Sequence, residues 1–501
     1  MFDWLPVVVG VGQFTARTDE FEPEREPLTL MREVASRALA DVQASGLAAR
    51  IDSVRVVNIV SASYPDPAGA LAESLGLATG ERLYTSLGGN SPQWLANRTA
   101  DDLAAGRIRA ALLVGAEALH TLRLAAKHSK ALAWTRRRAG PPMIGDTRQG
   151  SHPDEWKHGA QLPAQIYPLF EIALRAHLRL APSAHRQRIA TLSASMARVA
   201  ASNPNAWFRD GKSAKEIATV TAKNRMVAFP YSKLMNSMIE VDQAAAIIMT
   251  TAAEARALGI ERARWVHLNG GGDANDIWYL RDRENYHSSA GMALAFEQAL
   301  AQAGLEPEAI GPVDLYSCFP AAPQFAANLL GLPSDGSCPL TVTGGLPYFG
   351  GPGSNYTMHA IATLVERLRA EPGVFGLVSG LGWYMTRHAV GIYSTRDPAR
   401  PWDRRGHEAQ QAAIEARSHP TCPAAVNGKA CIETYTLLYD REGVPQKAII
   451  VARIEDGSRV FANSDSDRGF FEALESKEMV GARGHVRTDP DGCNRFRPAG
   501  A

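Results

Sequence analysis

TSLGGNSPQWLANRTADDLAAGRIRAALLVGAEAL, residues 85 to 119, sets two glycines, an asparagine and a serine at a strand-to-helix junction. Ser91 reads as the N-cap and Pro92 as the first helical position. The helix runs to Gly106, and AALLVG (110–115) follows as a buried strand. The free N–H groups at such a start point outward and the helix dipole favours negative charge, so the junction suits an anion. The paired glycines let the backbone approach a ligand closely. Taken alone, Ser91 is a helix cap.

Working outward, short apolar runs alternate with amphipathic segments, which predicts βαβ units and a largely parallel sheet. PVVVGVG (6–12) is a strand, Met31, Val34, Ala35, Ala38 and Val42 form one stripe of a helix that Gly46 ends, and SVRVVNIV (53–60) is the next strand. The pattern returns after residue 240 in AAAIIMTT, AAEARALG, RWVHLNG, a helix from Met292 to Ala303, VDLY and GVFGLVSG. ALADVQASGLAARIDSV (38–54) and ALAQAGLEPEAIGPV (299–313) are near copies, which points to a duplicated half and not to a solenoid. Five segments result: a first half (1–116), a helical insert (117–236), a second half (237–395), a charged linker (396–419) and a β unit (420–501). In the last, KACIETYTLLY and QKAIIVARI are strands around the turn DREGVP, predicting a small, barrel-like domain that folds on its own.

Lys plus Arg total 53 and Asp plus Glu 52, a net charge of +1, which argues against nucleic acid or an anionic membrane as partner. With 45% hydrophobic and 21% charged residues the composition is globular. Five scattered cysteines, never in a CxxC pair, imply neither a disulfide scaffold nor a zinc ribbon. MFDWLPVVVGVG carries Asp3 where a secretory signal carries positive charge, and no apolar run reaches the ~18 residues of a membrane span. A cytoplasmic location is expected.

Residues 5–395 resemble the thiolase superfamily. GRIRAALLVGAEAL and DQAAAIIMTTAAEARALG look like the segments that follow the nucleophile and open the second half, and TGGLPYFGGPG (343–353) matches the family's GGxxxxGHP motif at Gly344, Gly345, Gly350 and Pro352. The resemblance implies an α/β fold of two βαβαβα halves in five layers with a helical insert. It also implies a cysteine that attacks acyl-CoA. The matching positions lack that chemistry: the nucleophile falls on Gly89 or Asn90, the motif histidine on Gly351, the Asn-Glu pair on Tyr316 and Ser317, and the second cysteine near Val378. GGNSPQW, PYSKLMNS, GGLPYFGGPG and KACIETYTLLYDREG resemble the bacterial thiolase-like proteins of type 1, which add a C-terminal β domain and are often named acetyl-CoA acetyltransferases.

The resemblance therefore implies an acyl-CoA-binding protein of lipid metabolism, with a coenzyme A thioester as substrate or ligand and no tightly bound cofactor. Two readings stand open: an acyltransferase doing carbon–carbon chemistry without a cysteine, or a non-catalytic carrier or scaffold, monomer or homodimer, whose C-terminal domain docks a protein partner. Candidate catalytic residues are Ser91, Asn90, Tyr316, Cys318 and His359, with Ser91, Tyr316 and His359 converging on one pocket that loss of the nucleophile enlarges. The backbone of Gly89, Asn90, Gly380 and Gly382 is the candidate oxyanion hole. Gly344, Gly345, Gly350, Gly351, Lys127, Lys130 and Arg136 are candidate substrate-binding residues, the cations facing CoA phosphates. His359 and Cys318 have packing readings as well. His152, Asp154, Glu155 and His158 lack metal-site spacing and are read as a polar loop, so no metal is called. Tyr435, Tyr439, Lys447, Arg453 and Arg459 are read as domain packing, not as a nucleic-acid stripe.

Overall fold

Successive residues of the strand Pro6–Thr15 serve two different cores, because strand side chains alternate between faces. Val7 and Val9 pack with Leu30, Met31 and Val34 of the helix Pro27–Asp41. Val8 and Val11 pack instead with Leu95 and Ala100 of the helix Ser91–Ala104 and Ile361 of the helix Tyr356–Ala370. The second half repeats this: Leu377, Val390 and Ile392 join a third core under the helices Ala290–Ala303 and Ala321–Leu329, while Val378 and Tyr393 turn to the central pair. Five layers follow, two sheet layers enclosing two buried helices. The computed structural model describes residues 3–135, 139–465 and 468–499.

Nine strands run in the order Glu81–Tyr84, Ile51–Val56, Ala110–Ala118, Asp242–Thr251, Pro6–Thr15, Val266–Asn275, Arg387–Ser394, Phe375–Gly382, Ile310–Asp314. The halves meet where Val7 and Val8 pair with His267 and Val266. Read outward from that seam, each half gives two antiparallel pairings and then a parallel one, which is the duplication in three dimensions. The near-copied segments both lie between a helix and the outer parallel strand. Two corrections follow. The sheet is mixed and not largely parallel, and Asp242–Thr251, grouped by sequence with the second half, inserts between Ala110–Ala118 and Pro6–Thr15 of the first, antiparallel to both.

The insert carries the helices Leu119–His128, Pro163–His177 and Pro182–Ser202. The predicted hairpin forms as Asn427–Tyr439 and Pro445–Ile454. With Arg459–Asp465, Asn494–Pro498 and Arg483–Thr488 it closes a five-stranded barrel, whose core takes Phe470, Phe471 and Leu474 from the helix Arg468–Ser476. Tyr435 is core, and Arg459 is buried against Glu433 and the carbonyls of Arg281 and Glu284. The barrel is not freestanding as expected: Leu438 pairs with Ala228 of the insert, Phe229 N–H donates to Leu437 O (2.8 Å), Thr434 donates to Leu169 O (2.6 Å), and Arg175 pairs with Glu478 (2.6 Å). Among the described residues no helix is long and apolar enough to cross a membrane.

Candidate functional site

The helix starts at Ser91, so Asn90 is its N-cap and Ser91 its first residue, one position earlier than predicted. Ser91 is fully buried and donates its hydroxyl to Ser86 O (3.0 Å). That bond occupies the proton a nucleophile must lose. Polar residues along the helix tie the halves together: Asn97 donates to Gly272 O and Val390 O, and Tyr393 to Gln93.

Gly89 is glycine for want of room and not for backbone conformation, since its φ lies outside the left-handed range. A Cβ there would overlap the hydroxyl and Cζ of Tyr316 and stand 2.6 Å from Leu381 O. The space beside Gly89, one of the two positions where the nucleophile was expected, is thus filled by a phenol from the other half. Gly380 lies as close: a Cβ on it would be 2.8 Å from Asn90 Cα and 3.1 Å from Gly89 O. Gly89 O also accepts from Thr357 (2.7 Å). In the candidate oxyanion hole Gly380 is packed on the backbone of Gly89 and Asn90, and Gly382 lies against the Asn90 side chain. Beside the Tyr316 ring, among Phe296, Ser379, Gly380, Leu381 and His388, about 10 Å³ remains for the centre of a water, room for at most one molecule. The site is sealed, not enlarged.

The other candidates do not converge on it. His359 is fully buried, with Nδ1 bonded to Gln13 Oε1 (2.9 Å) and Nε2 enclosed without a partner. The rings of Phe349 and Tyr356 stand between it and Tyr316. Burial holds its pKa down to about 3, so it packs as a neutral ring. Burial drives the Cys318 thiol up to about 12, against a smaller opposing effect of its hydrogen bond with Tyr167, and raises the Tyr316 phenol. Neither is an anion at neutral pH.

The glycines of TGGLPYFGGPG also face protein. A Cβ on Gly344 would stand 2.6 Å from Ala200 Cα, and one on Gly345 would stand 2.9 Å from Met196 Sδ and from Ser317 Oγ. Gly350 abuts Gln243, and Gly351 abuts Ser237. Trp207 and Phe208 donate their N–H groups to Phe349 O and Tyr348 O, so the insert lies over the loop where a substrate was expected. Lys127 and Lys130 are exposed, Lys130 resting on Phe21, and Arg136 lies outside the described residues. His152 and Glu155 form a capping box, and His158 accepts from Asn494 N–H. No group of metal-capable residues occurs among the described residues.

One residue beside this closed centre escaped sequence reading. Arg387 opens the strand after the 383–386 turn, is 3% exposed, and donates to Ser86 Oγ (3.1 Å) and Leu87 O (3.0 Å). It lines a cleft of about 330 Å³ with Asn90, Trp94, Asp273 and His388, roofed by His407, Gln411 and Glu415 of the helix His407–Glu415. The 396–419 segment is therefore no free linker. Trp402 and Arg404 bond Asp101, Arg404 also pairs with Asp273, and Gln411 bonds both the N–H and the carbonyl of Asn275. The only sequence signal for Arg387 was a cation in an otherwise apolar run.

The C-terminal unit matches a family model, the thiolase-like protein type 1 additional C-terminal domain, over residues 410–491. Over its whole length the chain is similar to a monomeric SCP2-thiolase-like protein type 1 from Mycobacterium smegmatis, at 32% identity and a TM-score of 0.84, with all of both chains covered. The chain belongs to the SCP2-thiolase-like proteins of type 1. Two solved structures share the fold alone. An Ltp2-ChsH2(DUF35) aldolase is 18% identical with a TM-score of 0.59, covering 79% of this chain and 99% of that one. An acetyl-CoA acetyltransferase from Syntrophomonas wolfei is 15% identical with a TM-score of 0.57, covering 79% and 100%. Among curated proteins nothing matches. In this type 1 thiolase-like chain the region where a reaction centre was expected is filled by the chain's own side chains.

Proposed function

We propose that this type 1 thiolase-like protein is the non-catalytic alternative, a carrier or scaffold, and neither a thiolase nor an acyltransferase working at the thiolase centre. One observation carries the reading: Tyr316 fills the space at Gly89 where a nucleophile would stand. Acyl transfer needs a nucleophile, a proton acceptor within reach and donors around a developing oxyanion. Here the serine is bonded to a carbonyl, the histidine is two rings away and the donor walls touch.

The test incubates the full-length protein with a panel of acyl-CoA thioesters, alone and with free CoA, and follows them by mass spectrometry. The expected result is an unchanged panel and no acyl adduct on the protein. Turnover above the no-enzyme rate that disappears in Ser91→Ala or Tyr316→Phe overturns the proposal.

A further inference from the structure

The fully buried arginines of this chain divide into two kinds. Arg55, Arg175 and Arg459 each hold a carboxylate, at 2.6 Å to Asp102, Glu478 and Glu433. Arg283 is also buried without a carboxylate, but it spends its guanidinium on Ile277 O, the Thr386 hydroxyl and the Phe170 ring, whereas Arg387, nearly as buried and likewise with no carboxylate within 4.0 Å among the described residues, lines an open cleft. A buried charge without a counter-charge is destabilising, and an anionic partner offsets that cost. Its neighbour Asn90 shows the complementary anomaly. Asparagine at an N-cap ordinarily accepts a bond from the first turn, but here the residue has helical φ and ψ and makes no cap bond. Asn90 Oδ1 is enclosed without a partner, against Gly88 and Gly382, and Asn90 and Arg387 line the same cleft.

We propose that the cleft under the helix His407–Glu415 binds a small oxyanion, carboxylate or phosphate, between the Arg387 guanidinium and the Asn90 amide. The guanidinium fork matches either group. At about 330 Å³ the cleft lies at the small end of ligand pockets, ~300–1,000 Å³, which selects a small organic acid or inorganic phosphate over a whole CoA nucleotide. The other charges facing it are accounted for. Asp146 is bound by Arg148 and Asp273 by Arg404. His388 and His407 are held neutral by burial, near 4. Glu408 and Glu415 are exposed at the rim. The site is separate from the sealed centre and stands whether or not the protein proves catalytic.

The test titrates full-length protein with succinate and, separately, inorganic phosphate at constant ionic strength with chloride as control, by calorimetry and thermal shift. Saturable binding of either is expected, and the stronger of the two names the class. Asn90→Asp, nearly isosteric, should weaken binding ~10-fold or more by setting a like charge at the site, whereas Glu408→Gln with Glu415→Gln should tighten it ~2- to 5-fold. Arg387→Lys should abolish it, and because that variant also strips bonds from the Ser86–Leu87 loop, the Asn90 and rim variants decide. No saturable response to either anion up to 10 mM, or a Kd unmoved by Asn90→Asp and by the rim variants, overturns the proposal and leaves Arg387 as a loop clamp only.

Discussion

Adding one methyl group at residue 89 tests the sealed centre directly. Because the φ of Gly89 is open to any residue, Gly89→Ala carries no backbone strain, and its whole effect is steric. The new Cβ would lie on the Tyr316 hydroxyl and at 2.6 Å from Leu381 O, where ordinary contact begins at 3.4 Å. Leu381 sits in the Phe375–Gly382 ladder and the Tyr316 ring is packed edge-on to Tyr356, so neither neighbour is the free end of a flexible chain. Overpacking of this kind costs ~1–3 kcal/mol or more. Tyr316→Ala alone costs ~3–5 kcal/mol through the cavity it leaves. The two changes should be far less than additive, with a coupling of ~1–3 kcal/mol, because removing the ring removes the methyl's principal obstacle. Scanning calorimetry of the four proteins reads the cycle. By the same geometry Gly89→Cys should not restore thiolysis. A Gly89→Ala protein as stable as the parent, or a cycle that adds without coupling, would refute the claim that Tyr316 fills the nucleophile site.

Cys318 should resist alkylation in the native protein: with its thiol near 12, the thiolate fraction at pH 8 is on the order of 10⁻⁴, so iodoacetamide mapping should find it protected until the chain unfolds. Burial sets His359 near 3 and His388 near 4 against an ordinary 6.5. In that interval the unfolded chain binds protons that the native state does not, so stability is full above about pH 6.5 and falls as pH drops toward 4. His359→Gln should flatten that slope by up to ~1.4 kcal/mol per pH unit, while an unaltered acid limb would show that the ring is accessible to protons. A fragment of residues 420–501 should unfold without a sharp transition, because Ile172 and Phe229 of its core and the Ala228 pairing lie in the insert; cooperative melting of the fragment would refute this.

The fold was legible because it rests on local signals. The stripe from Met31 to Val42, the strand at 110–115 and the copied junctions each need only a window of residues, and each stands where it was expected. What was not legible depended on the order of strands in space. Asp242–Thr251 looks like the start of a new half because it follows the insert, and only its pairing with Pro6–Thr15 returns it to the first. The barrel has its own turns, which suggested independence, but nothing in KACIETYTLLY discloses that Leu438 pairs with the insert.

The site failed to read for a more general reason. Read from the sequence, Gly89, Asn90 and Ser91 suggest space, since small residues stand where the resemblance puts a cysteine. A glycine removes its own side chain but says nothing of its neighbour's, and Tyr316, distant in sequence, reaches into the gap. Likewise the glycines at 344, 345, 350 and 351 permit close approach without naming what approaches, and Ala200, Met196, Gln243 and Ser237 do. The informative residue, Arg387, is inconspicuous in RHAVGIYS, because one cation in an apolar strand is ordinary on a surface. It becomes anomalous only once the strand proves buried, with Asn90 beside it and no carboxylate in reach. In a chain that has lost its catalytic side chains, the place to look for retained function is therefore where a buried charge is still left unpaired, beside the closed centre and not within it.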